Sequence, residues 1–302
     1  MSADFEIAHD KFRTMLLANA WVEKIHGGML WAEGPVWFAD TGSLVWSDIP
    51  NDRMMQYAPE LGVRVFRAPA NHSNGNTRDR QGRLITCEHG GRRVTRTEHD
   101  GSVTVLANKY QGKRLNSPND VTVKADETVW FTDPTYGIMS DYEGHKAESE
   151  IGACYVYRFD PRDGTLSVVA DDFAKPNGIA FSPDELTLYV ADTELSHNPK
   201  GAHHIRAFDV VDGKKLARSR VFADINPGVA DGLRLDTDGN VWTSAGDGVH
   251  CYDSQGTFLG KIRVPEVVSN VCFGGPKRNR LFITATTSLY AVYVAQVGAQ
   301  RP

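Results

Sequence analysis

The chain has 302 residues, 41% of them hydrophobic and 24% charged, with no apolar run approaching the length needed to span a bilayer; it reads as a soluble globular protein, not an integral membrane protein. Thirty-three Lys and Arg against 38 Asp and Glu give a formal charge of -5, so no basic excess draws nucleic acid to the surface. Cys87, Cys154, Cys251 and Cys272 are widely spaced and form no CxxC pair, so they read as buried small hydrophobes or free thiols rather than a disulfide framework.

In chain order, residues 1–20 predict an N-terminal arm or one short amphipathic helix. Asp4, Glu6 and Asp10 stand where a signal peptide would be basic, and the apolar run from Met15 to Ala18 is too short for a signal core. A cytoplasmic location follows, or a periplasmic one if a leader has been removed. Residues 21–302 predict one domain. From Trp31 onward, short runs of β-branched and aromatic residues alternate with Gly, Asp and Asn clusters, as in TVWFTD (Thr128 to Asp133) and LTLYVADT (Leu186 to Thr193). The stretch repeats itself six times, in units that begin at Trp31, Ser73, Ser117, Lys175, Val229 and Val268. Each unit has a polar residue, an apolar strand, a turn with Asp or Gly, and a second strand rich in Leu, Trp, Tyr and Phe. Further strand pairs, such as CYVYRFDPRDGTLSVV from Cys154, supply an outer half. Four strands per unit and six units predict an all-β fold, a six-bladed β-propeller. Either the stretch Trp21 to Gly27 or the strand Ser288 to Val294 is expected to close the ring.

At one phase of the repeat stand Glu33, Asn74, Asn119, Asn177, Asp231 and Asn270. Asn-Gly and Asp-Gly are common turn pairs, and any one of these positions taken alone is explained that way. Taken together they are not: Glu33 is no turn former, Asn119 precedes Asp120, and Asn270 precedes Val271. Inner strands of a propeller face the axis, so these side chains are expected to converge. Two carboxylates and several carboxamides, with no His or Cys, suit one hard divalent cation, Ca²⁺ or Mg²⁺. Structural zinc is disfavoured, while Zn²⁺ or Mn²⁺ at an open oxygen-rich site stays possible. His89, Asp133 and Tyr136 follow the inner hairpins of the second and third units and are expected at the mouth that receives substrate, with Asn74 lining the pocket. Asp192 is expected to satisfy backbone groups between strands, and Asn270 to be structural.

The motifs WAEGPVW (from Trp31), SPND (from Ser117), KPNGIAFSPD (from Lys175), YVADT (from Tyr189) and ADGLRLDTDGNVW (from Ala230) resemble the gluconolactonase and senescence-marker-protein-30 family, in order and over nearly the whole chain. The resemblance implies a six-bladed propeller with one divalent metal, Ca²⁺ in the first instance, and hydrolysis of a small-molecule lactone. It matches Glu33, Asn177 and Asp231 to the metal ligands, Asn119 to a residue that contacts substrate and in some relatives the metal, and Asp231 to the general base. Ser117 departs from the Arg with which the animal lactonases hold sugar hydroxyls. SPND followed by WFTDP and Tyr136 resembles the bacterial gluconolactonase branch. The expected protein is a sugar-lactone hydrolase acting as a monomer or small homo-oligomer. An organophosphate hydrolase on the same ion and a non-catalytic propeller that binds a partner are the rival readings.

Overall fold

The computed structural model describes residues 3–300, so the outermost residues of both predicted segments (1, 2, 301 and 302) lie outside the described residues. Six antiparallel sheets are arranged as blades, with one strand of each lining the axis. The inner strands are Ala32–Phe38, Ser73–Arg78, Val121–Val123, Pro176–Phe181, Leu233–Leu235 and Val268–Gly274. Each contacts the next in chain order, and the sixth contacts the first, so the ring is closed.

Closure explains why the strands alternate poorly between apolar and polar. Both faces of each blade are covered, and whole strands such as Ser43–Asp48 and Arg280–Ala285 are buried end to end. The core is accordingly divided into six apolar clusters, one in each gap between neighbouring blades. Trp130 and Trp242, at the same place in the second strands of blades three and five, and Trp46, one residue further along that of blade one, are fully buried and fill three of these gaps.

Both candidates for the seam belong to blade six. Ser288–Tyr293 is its third strand, and Glu23–Gly27 pairs with it as the outermost. The N-terminal arm does form a short helix, Asp10–Met15, which drops Phe12 and Met15 into the cluster between blades five and six. The arm also contains a strand, Phe5–Ile7, that adds a fifth member to blade five. No helix among the described residues is long and apolar enough to cross a membrane.

Candidate active site

In four of the six blades the shared polar position falls at a bulge rather than in a hairpin turn. Pairing between the first two strands slips between Glu33 and Val36, Ser73 and Asn76, Pro176 and Ile179, and Val268 and Asn270. A bulge re-aims the side chain it carries, here toward the axis. The glycines that follow serve close approach between blades. A Cβ on Gly75 would stand 2.4 Å from the Asn119 carbonyl oxygen, and one on Gly178 would stand 2.2 Å from that of Asp231. The same glycines donate their N–H groups to those carbonyls, at 2.8 and 2.7 Å.

Five of the six ring positions, Glu33, Asn74, Asn119, Asn177 and Asp231, line one cavity of about 380 Å³. Asn270 does not line it. Its Nδ2 donates to Glu33 Oε2 (3.0 Å) while its Oδ1 accepts from the Val271 N–H, so it fixes the Glu33 carboxylate from behind. Gly34 N donates to the same Glu33 oxygen at 2.5 Å. Burial pushes the Glu33 carboxyl up to about 8, against the Asn270 hydrogen bond. Burial also raises Asp231 well above the carboxylate range, with Glu33 and Glu143 adding repulsion. Beneath the pair lies Asp120, buried and facing Arg234 at 3.4 Å. Among the described residues no three His, Cys, Asp or Glu side chains come together as metal ligands, so an ion here would take carboxamides as well as carboxylates.

His89 was expected to touch substrate, and the structure corrects this: it is fully buried behind Asn74 and absent from the cavity wall. Its Nδ1 stands 3.1 Å from the Glu143 carbonyl oxygen, which only an N–H can satisfy, so Nε2 is left as the acceptor for Asn74 Nδ2 at 3.1 Å. Burial pushes the imidazole down to about 4, consistent with this neutral tautomer. Held in that sense, the Asn74 amide leaves its Oδ1 buried with no hydrogen-bond partner. His89 therefore positions Asn74.

Asp133 is a second correction. It is fully buried away from the cavity, and its carboxylate accepts the N–H groups of Asn116 and Ser117, both at 2.9 Å. Burial still pushes it up to about 7. Asp192 ends the corresponding strand of blade four and accepts the Ala174 and Lys175 N–H groups in the same way. Both residues anchor the segment that leads into an inner strand, because these backbone donors have no strand partner. Tyr136 does line the cavity. Its hydroxyl bonds to Thr193 Oγ1 (2.6 Å) and Ser196 Oγ (3.1 Å), which joins the insertion of blade three to the loop of blade four. Burial raises its phenol above the usual range.

Sequence reasoning missed Glu143, Asp120 and Arg234. Asp120 and Arg234 each sit one or three residues past a ring position and were readable as axial neighbours. Glu143 lies in an insertion outside the repeat and gave no signal.

The family described as the SMP-30/Gluconolactonase/LRE-like region matches residues 31–287. A gluconolactonase of Zymomonas mobilis is 30% identical over 92% of this chain and 82% of its own length. A pentonolactonase of Haloferax volcanii is also 30% identical, over 83% of this chain and 80% of its own. Among solved structures, a gluconolactonase of Xanthomonas campestris superposes with a TM-score of 0.90 at 38% identity, covering 96% of this chain and 94% of that one.

Proposed function

Because the chain belongs to the SMP-30/gluconolactonase/LRE-like family, we propose that it is a lactonase, which opens a sugar lactone of the gluconolactone kind to the aldonic acid. The observation that carries the reading is the convergence of Glu33 and Asp231 with the carboxamides of Asn74, Asn119 and Asn177 on one axial cavity.

The donor set fits a hard divalent cation, Ca²⁺ in the first instance, with Mg²⁺, Mn²⁺ or Zn²⁺ as alternatives. Two buried carboxylates that repel each other are groups that such an ion would satisfy. Glu33, Asn177 and Asp231 would hold it, and when bound it would polarise the lactone carbonyl as a Lewis acid. The chain's own residues supply the remainder. Asn119 and Asn74 offer hydrogen bonds to the substrate from neighbouring blades, and Asn74 is kept in one orientation by His89. Asp231 takes the proton of the attacking water as its oxygen bonds to the carbonyl carbon, and returns a proton to the ring oxygen as the C–O bond breaks. Water and lactone thereby become the hydroxy acid with no net change at the protein. Tyr136, Met139 and Tyr142 wall the cavity and limit the access of other water.

The test is acid release from glucono-1,5-lactone in a pH-stat, with and without a chelator, for the wild type and Asp231→Asn. Hydrolysis that the chelator abolishes is expected, with Asp231→Asn slower by roughly a hundredfold or more. Absence of lactone hydrolysis in cation-loaded protein, or turnover of a phosphotriester alone, would overturn the reading.

A further inference from the structure

The insertion of blade three, between the strands Val129–Asp133 and Cys154–Asp160, carries Glu143 over the cavity. Its backbone is firmly placed. The carbonyl of Glu143 accepts from His89, His145 N donates to Gly137 O (3.1 Å), and Ala147 N donates to Ile138 O (3.0 Å). Gly144 packs so tightly that a Cβ there would stand 2.2 Å from the Gly137 carbonyl oxygen. The carboxylate on this fixed backbone lines the cavity near Asp231, and among the described residues no hydrogen bond or ion pair engages it.

The charge of the cavity gives this carboxylate a distinct role. Its ionisable lining residues are Glu33, Asp231, Glu143, Tyr136, Tyr142 and His197, with neither Lys nor Arg among the described lining residues. Lys175 is close but outside the lining, with its ammonium 5.2 Å from the Tyr136 ring centre and bonded to Thr135 Oγ1. A divalent cation held by Glu33 and Asp231 would balance those two charges and leave the charge of Glu143 uncompensated. An acceptor without a donor suits the hydroxyls of a neutral polyol, and the same charge repels a phosphate or carboxylate placed beside it.

We infer that Glu143 is a specificity-determining residue, which accepts a hydroxyl of an uncharged sugar lactone and turns away lactones that carry a phosphate. The inference rests on the lactonase reading and adds the substrate's charge to it. It also gives a reason for product departure, since the aldonate formed is an anion in a cavity with net negative charge.

The experiment compares kcat/KM for glucono-1,5-lactone and 6-phosphoglucono-1,5-lactone in cation-loaded wild type, Glu143→Gln and Glu143→Ala, after subtraction of spontaneous hydrolysis. The wild type is expected to prefer the neutral lactone. Glu143→Gln, which keeps an acceptor oxygen without the charge, should narrow that preference by roughly tenfold, mainly through KM for the phosphorylated lactone. Glu143→Ala should in addition raise KM for the neutral lactone several-fold with kcat little changed, as expected for lost binding that does not differ between ground and transition states. The same preference in wild type and Glu143→Gln would overturn the inference while leaving the lactonase intact. Hydrolysis of neither lactone by wild type would instead sink the reading beneath it.

Discussion

Replacing Asp133 by Asn separates an anchoring role from a role in substrate contact. The carboxylate accepts two backbone N–H groups at 2.9 Å, from Asn116 and Ser117, in a fully buried position. A carboxamide of the same shape can accept one of them, and turns its own NH₂ toward the other. One buried donor is then orphaned, at a cost of about 2 kcal/mol. For a chain of this size that lowers the melting temperature by roughly 3 °C. The Asn116–Ser117 backbone leads to Asn119, so kcat should also fall. Asp192→Asn should reproduce the melting shift, because Asp192 accepts the Ala174 and Lys175 N–H groups, both at 3.0 Å, on the way to Asn177. Thermal melts at pH 8, where Asp133 is ionised, read the effect beside steady-state turnover. An unchanged melting temperature for Asp133→Asn with a raised KM would rule out the anchoring role and return Asp133 to the substrate.

Gly178→Ala places a Cβ 2.2 Å from the Asp231 carbonyl oxygen and forces two inner strands apart. It should cost about 3 kcal/mol in a denaturant titration and remove most activity; a wild-type midpoint would contradict the packing described here. Glu266 is raised by burial but lowered further by hydrogen bonds from Ser288, Thr287 and Tyr290, and is held at about 2. Its folded value lies below its ordinary one, so its contribution is present above about pH 4.5 and is lost as pH falls toward 2. Glu266→Gln should therefore destabilise by roughly 1 to 2 kcal/mol at pH 7, once solvent screening of this partly exposed group is allowed for, and by little at pH 2; an equal loss at both pH values would show that the charge is not responsible.

The six blades were legible because each contains the same short grammar of polar residue, strand, turn and aromatic strand, and that phase also located the ring. Chemistry at equivalent positions was read less well. Asp133 and Asp192 end the second strand of adjacent blades and do the same work, yet motif context alone placed one at the substrate mouth and the other on the backbone. The Asn-Gly pairs resembled turns because sequence does not distinguish a glycine with positive φ from one that a neighbouring carbonyl requires. Only Gly34, at φ +56°, combines both demands among the ring glycines. Two features lay outside the repeat and so outside its signal. Glu143 sits on an insertion, and Phe5–Ile7 is a three-residue strand whose partner, Phe258–Arg263, is over two hundred residues away. The division of labour behind the wall, with Asn270 holding Glu33 and His89 holding Asn74, depends on contacts between blades that no single repeat contains.

In the proposed mechanism lactone opening depends on one cation site formed by Glu33, Asn177 and Asp231. Calorimetric titration of Ca²⁺ into chelator-stripped wild type and Glu33→Gln, with glucono-1,5-lactone turnover followed in the same samples, tests it directly. One ion per chain is expected for the wild type, with turnover that rises in proportion to occupancy and affinity in Glu33→Gln reduced at least as far as the roughly tenfold to hundredfold that loss of an outer-shell partner costs. Full turnover by stripped protein, or unchanged Ca²⁺ affinity in Glu33→Gln, would contradict it.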